Sequence, residues 1–348
     1  FKIAILLLGL SAAFLGKWVE KVGPKKSGIT AGILYGAGIL GSGLAVQFGS
    51  LWLFYACYGV IGGIGLGIGY ITPVSTLVKW FPDRRGLATG MAIMGFGFAA
   101  LIFGPIMAKL FETVGVANAF YILGTIYTII ILASASYIER PPVGYFPEGF
   151  EGEAKNAIKE DISNVTANEA LKSERFYYIW LMMFINISCG IAIISAASPM
   201  MQEKLNYTSM QAATIVGFIG VFNGLGRLLW STLSDYLGRA NTYILFFAFQ
   251  ILAFYLLPKI GIESVFLLVL FTVITMYGGG FATLPAFLGD LFGTKQLGAI
   301  HGYVLAAWAL AGVAGPTIYD LVKEQTGSLD TTLLIFAGLF VIAFIISV

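Results

Sequence analysis

Along the chain, apolar positions do not alternate with polar ones at the period of a half-buried strand, nor every three or four residues as on a surface helix. They run in blocks. "ILLLGLSAAFLG" stands near the start, "LLIFAGLFVIAFIISV" stands at the end, and short polar stretches separate further blocks between them. About 20 such residues, rising 1.5 Å each, cross the hydrocarbon core of a bilayer. On that measure the pattern predicts eleven spans: 1–16, 28–48, 51–78, 87–110, 117–138, 176–200, 209–232, 242–257, 264–289, 298–319 and 329–348. The first is not read as a signal peptide. It lacks a charged n-region with a cleavage site and leads straight into "GKWVEKVGPKKSG".

Composition agrees with the pattern. Hydrophobic residues make up 58%, charged residues 11%, and mean hydropathy is +0.87, whereas soluble domains carry about 25% charged residues. The expected class is an all-α, multi-pass membrane protein. A net charge of +2 without a basic cluster excludes nucleic acid as a partner. Cys57 and Cys189 both lie in apolar runs, which leaves no disulfide framework and no CxxC metal site. There is no HExxH, no buried carboxylate pair and no Ser with a nearby His, so neither an enzyme nor a metal or cofactor is expected. "GAGILG", 36–41, matches a dinucleotide fingerprint but lies mid-span with no strand before it. The glycines of "GVIGGIGLGIG" are read as sites of close helix packing.

Basic residues orient the spans, because Lys- and Arg-rich loops stay on the cytoplasmic side. One set of alternating loops holds Lys17, Lys21, Lys25, Lys26, Lys79, Arg84, Arg85, Arg140, Lys155, Lys159, Lys172, Arg175, Arg239 and Lys295; the other holds Lys2, Lys109, Lys204, Lys259 and Lys323. The first set is therefore predicted to be cytoplasmic. Its longest member, 139–175, is expected to be a solvated linker between an N-terminal bundle, 1–138, and a C-terminal bundle, 176–348. Thr166 and Glu169 in "TANEALKSERF" have capping-box spacing and predict a short surface helix there. The sequon at Asn164 would face the cytoplasm and is read as chance.

The two bundles repeat each other. Glu20 and Gly23 align with Asp235 and Gly238, Pro73 with Pro285, Gly86 with Gly298, Gly90 with Gly302, and Gly104-Pro105 with Gly315-Pro316, all in one order. Parallel repeats of this kind build transporters with a site near mid-membrane. On the offset set by Glu20 and Asp235, Phe1 pairs with Val216, so the span at 176–200 has no partner in the first half. The expectation is a fragment whose parent carries a twelfth span ahead of Phe1.

One basic residue belongs to neither set of loops. Arg227, in "FNGLGRLLWSTLSDYLGR", lies inside a span, eight residues before Asp235 and so about 12 Å from the predicted cytoplasmic end. Holding an Arg at such depth costs about 2.5–3.5 kcal/mol on insertion scales, a cost that marks function. A planar guanidinium can hold a carboxylate through two parallel hydrogen bonds. The competing expectation is that Arg227 pairs with Asp235 or snorkels to the surface. Asn223, one turn away, is a candidate partner for substrate or guanidinium.

The loop "GKWVEKVGPKK" and its echo "DYLGR" resemble the signature loop of the major facilitator superfamily. "GIGYITPVSTLVKWFPDRRGLATG", "NGLGR" and "AAWALAGVAGP" narrow the resemblance to the oxalate/formate antiporter family, with its bacterial monocarboxylate carriers, over nearly the whole chain. The resemblance implies a twelve-helix, alternating-access carrier of small organic anions in a prokaryotic plasma (inner) membrane, with Arg227 on the substrate. It also implies aromatic substrate contacts at Tyr70 and Tyr277. Where oxalate-specific members are expected to carry a lysine, this chain has Trp308. One arginine balances one carboxylate, so a monocarboxylate such as lactate, pyruvate or formate is expected before oxalate. Proton symport and anion exchange both stay open. Related carriers hold a proton on an aspartate one turn before the arginine, but here that residue is Asn223, and no Asp or Glu lies deep in a span. His301 titrates in the useful range, yet near the cytoplasmic start of its span it is expected to be a satisfied interfacial histidine. Glu20, Lys21, Asp235 and Arg239 are expected to stabilise a gate through ion pairs between the halves. The carrier is expected to act as a monomer; a transporter-like sensor without flux is the remaining class.

Overall fold

The computed structural model describes residues 2–142, 144–147 and 165–348. Lys155, Lys159 and the sequon's Asn164 lie outside the described residues. Among those described, eleven helices are long and apolar enough to cross a membrane. They are α1 (Lys2–Val22), α2 (Pro24–Gln47), α3 (Leu51–Trp80), α4 (Arg85–Val114), α5 (Val116–Tyr137), α7 (Glu174–Leu205), α8 (Ser209–Leu237), α9 (Arg239–Lys259), α10 (Glu263–Phe292), α11 (Leu297–Thr326) and α12 (Leu329–Ser347). The short α6 (Ala167–Ala170) precedes α7. Each matches a predicted span, and several run past it at their ends. α8, for example, continues through Asp235, because a polar turn outside hydrocarbon still gains its backbone hydrogen bonds.

Breaks between helices follow from local chemistry. Gly23 and Gly238, aligned by the repeat, share one left-handed conformation, with φ +86° and ψ 168° at the first and φ +83° and ψ 147° at the second. An L side chain resists that region, and each glycine lets one span end and the next begin within a single residue. Thr208 and Gln211 form a capping box at the start of α8. The predicted box of Thr166 and Glu169 is present on α6. Inside α3, Tyr55–Ile61 form a π-helical stretch that the apolar pattern does not announce.

The helices cluster into two compact units. Unit 1 contains Phe1–Ala88, Ile102–Ser173 and Phe287–Ala309; unit 2 contains Thr89–Leu101, Glu174–Ala286 and Leu310–Val348. In unit 1, α2 packs along α5 through a column of small residues. A Cβ at Gly28 would come within 2.9 Å of Ala135 Cβ, and one at Gly32 within 2.9 Å of Ile131 Cγ2. Without a hydrophobic force between helices in lipid, such close approach gives the dispersion contact that holds them. The same unit packs α1 on the first half of α11. A Cβ at Gly9 would lie 2.6 Å from Ala309 Cβ, and one at Gly16 would lie 2.7 Å from Ala299 Cα. α6 is tied to this unit by Ala167 N–H donating to Gln296 Oε1 at 2.8 Å and by Lys17 Nζ donating to Asn168 Oδ1 at 2.6 Å. Unit 2 is built on α7, α8, α9 and α12, with a core of Phe246, Phe247, Phe254, Phe336 and Phe340.

Candidate functional site

Arg227 projects from the middle of α8 and is 7% exposed. The carboxylate of Asp235, two turns on, pairs with Arg239. Arg227 Nη1 donates to the Ile93 carbonyl of α4 at 3.0 Å, and Nε donates to Asn223 Oδ1 at 3.3 Å. Neither oxygen carries a formal charge. Phe96 of α4 and Phe281 of α10 place their rings 5.9 Å and 5.4 Å from the guanidinium carbon. Each such cation–π contact contributes about 0.5–2 kcal/mol, increasing as water is removed.

Small residues bring these helices together. Gly97 of α4 meets the backbone of Gly224, where any side chain would overlap. Gly226 faces Thr275 of α10, and a Cβ there would lie 2.7 Å from the Thr275 carbonyl carbon. A Cβ at Gly278 would come within 2.5 Å of Asn223 Oδ1 and 3.2 Å of Arg227 Cγ. The turn of α10 that carries Tyr277 and Phe281 thus lies against the turn of α8 that carries Asn223 and Arg227. Tyr277 is buried, its ring against Gly190 of α7. All of these residues belong to unit 2. The apolar pattern singled out Arg227 and, one turn away, Asn223, and the family resemblance pointed to Tyr277; neither pointed to Ile93, Phe96 or Phe281.

Unit 1 holds a second set. Tyr70 of α3 is 3% exposed, and its ring centroid lies 5.6 Å from that of His301 and 6.2 Å from that of Trp308. His301 and Trp308 are seven residues apart on α11, one face of the helix. Trp308 is half-buried. The expectation of a satisfied interfacial histidine is corrected here. His301 is 0% exposed, and neither ring nitrogen has a hydrogen-bond partner among the described residues. Leaving a buried polar atom unsatisfied costs about 1–3 kcal/mol, so the position is costly for stability.

Glu20, Asp235 and Arg239, three of the expected gate residues, each have an ion pair inside one sequence half. Glu20 Oε2 accepts from Lys79 Nζ at 2.7 Å, and Asp235 pairs with Arg239 one turn on. Glu20 and Arg85 also link the two repeats. Glu20 Oε1 accepts the Gly298 N–H at the start of α11 at 2.8 Å, and Arg85 Nη1 meets Asp290 Oδ1 at 2.8 Å, both inside unit 1. Lys21 lines a polar cavity of about 490 Å³ with Lys17, Glu20 and Lys295. Among the described residues no cluster of His, Cys, Asp or Glu could hold a metal ion.

A sequence profile described as Major Facilitator Superfamily matches residues 3–316. The oxalate:formate antiporter of Oxalobacter formigenes is 28% identical over 331 residues, covering 94% of this chain and 76% of that protein. Apicoplast pyruvate carrier 1 of Toxoplasma gondii is 25% identical over 374 residues, covering 90% of this chain and 67% of the carrier. Among solved structures, the fucose:proton symporter FucP of E. coli is similar with a TM-score of 0.75 at 14% identity, covering 99% of this chain and 89% of the other. At that identity the likeness is one of fold.

Proposed function

This chain belongs to the Major Facilitator Superfamily, and from that premise we propose that it carries a small monocarboxylate, such as lactate, pyruvate or formate, by alternating access across a prokaryotic plasma membrane. Its family and fold are those of transporters, not enzymes. The observation that carries the substrate reading is Arg227. It is buried in a membrane span, held by two neutral oxygens and flanked by two aromatic rings. A guanidinium fork in a dry site can hold and orient a carboxylate through two parallel charge-assisted hydrogen bonds. Asn223 and Tyr277 are assigned to substrate beside Arg227, and Tyr70 and Trp308 are assigned to substrate on the family resemblance alone. Glu20, Lys21, Asp235 and Arg239 are assigned to gating.

Two relatives support an organic acid, one named for oxalate and formate and one for pyruvate. Exchange of oxalate for formate is the second reading and draws on the first of these. Trp308 weighs against it, because it offers an indole where a second carboxylate calls for a cation.

Counterflow in proteoliposomes with labelled lactate, pyruvate, formate and oxalate separates the readings. The expected outcome is exchange of at least one monocarboxylate, with oxalate a poor competitor. Arg227→Lys, in protein that stays monodisperse, should cut exchange about a hundredfold, since lysine keeps the charge but loses the bidentate fork, and a lost hydrogen bond to a charged group costs about 1.5–3 kcal/mol. Exchange that survives this substitution unchanged would remove the proposal.

A further inference from the structure

We propose that His301 carries a proton through the transport cycle, taking it onto a ring nitrogen from water on one side of the membrane and releasing it to water on the other. This rests on the organic-anion reading above and names the group that couples the anion to a proton. His301 is the sole histidine of the chain. An apolar side chain would leave no polar atom unsatisfied in the wall of α11, yet the residue present has two polar nitrogens that nothing among the described residues satisfies. Buried groups of that kind call for a chemical role.

α1 and α3 both pack against this turn of α11. Gly302 presses on the Ala12 carbonyl region of α1, where a Cβ would lie 2.7 Å from the carbonyl carbon. Tyr70 closes the α3 side at 5.6 Å between ring centroids. Ionisable groups on the packed elements are few. α3 carries Tyr70 and Lys79, with Tyr55, Cys57 and Tyr58 near its start. α1 carries Lys17, Glu20 and Lys21 near its end and Lys2 at its start. On α11 itself, Tyr303 lies 5.9 Å below Lys17 Nζ, and Asp320, Lys323 and Glu324 stand at the far end of the helix. Glu20 is already engaged by Lys79 and by the Gly298 N–H.

A lone charge on the imidazole is therefore unfavourable in the empty carrier. Protonation of the ring and binding of the anion favour the same state of the carrier. Linkage makes the effect reciprocal: anion binding favours protonation of the ring, and protonation favours anion binding by the same factor. The proton adds to one ring nitrogen and leaves from it, with no other bond made or broken.

Two measurements test this. In proteoliposomes with an inward acid gradient and labelled lactate or formate, the wild type should accumulate the acid. His301→Gln, which keeps a donor and an acceptor but cannot titrate, should lose gradient-driven accumulation at least tenfold more than it loses counterflow. Equal losses in the two assays, or a wild type that exchanges the acid but ignores the gradient, overturn the proposal. The second uses ¹⁵N-histidine, which in this chain reports one ring. The expected signal gains imidazolium character between about pH 8 and 5 when lactate or formate is present. A ring that stays neutral over that range overturns the proposal, whatever the transport assays give. Arg227→Lys tells the two failures apart: counterflow unchanged in this variant counts against the anion site, whereas counterflow lost while the ring titrates as in wild type overturns the linkage proposed here.

Discussion

At the scale of single residues, Asn223 and Arg227 make one device whose balance can be tipped. Asn223 Oδ1 lies 3.3 Å from Arg227 Nε and is neutral. Asn223→Asp would put a carboxylate at that distance, an internal partner competing with any visiting anion. Apparent affinity for the transported acid should fall about tenfold or more at neutral pH. It should recover as the pH drops and the new carboxyl takes a proton, since only the ionised form competes. KM measured from pH 7.5 down to pH 5 checks this, and a KM in the variant equal to wild type at every pH would contradict it. Arg227 was legible in the sequence because one charge in an apolar run is costly wherever the helices go. Its acceptor Ile93 and its ring neighbours Phe96 and Phe281 were not, since an isoleucine carbonyl and two phenylalanines look the same in any membrane helix. His301 was misread for a related reason: its position near the start of a span gave depth along the membrane but not the identity of the helices around it.

Between elements, the depth of packing is set by residues with no side chain, and α4 supplies its own control. Gly97 lies against the Gly224 backbone, while Gly95, two residues earlier, has nothing within 4 Å of a built Cβ. Gly97→Ala should force α4 away from α8, carrying Ile93 and Phe96 from the guanidinium. Overpacking of this kind costs about 1–3 kcal/mol. Gly95→Ala should be neutral or slightly stabilising, as alanine is favoured over glycine in a helix by about 1 kcal/mol. Apparent melting temperatures in one detergent, with counterflow rates alongside, test the pair; equal effects from both substitutions would show that the α4–α8 contact does not set the site. Spans were readable because hydropathy and length fix a membrane helix almost alone. Their ends were less so, since helices continue into the interface where the pattern turns polar. The π-helical stretch Tyr55–Ile61 left no mark in hydropathy at all, because a change in hydrogen-bond register keeps every side chain apolar.

For the whole molecule, the repeat and the basic residues are two independent readings of one topology. The repeat survives in backbone geometry, where Gly23 and Gly238 turn with nearly the same φ. It does not fix which face is cytoplasmic; that depends on the distribution of Lys and Arg alone, which together with Arg227 accounts for all 20 of them. Sidedness is open to direct measurement because the two native cysteines, Cys57 and Cys189, are buried and give a quiet background. Lys25 and Lys172 represent the basic-rich loops, Lys109 and Lys259 the others, and all four are exposed. Single Lys→Cys changes at the first two should react with a membrane-impermeant maleimide in inverted vesicles and not in intact cells, and at the last two the reverse. The consequence reaches the site. With Lys25 inside, the Asp235 end of α8 is cytoplasmic, and Arg227 lies about 12 Å in from that face, deep enough for its charge to be reached only through an opened carrier. Labelling in the opposite sense would turn the molecule over and make that end of α8 the outer one.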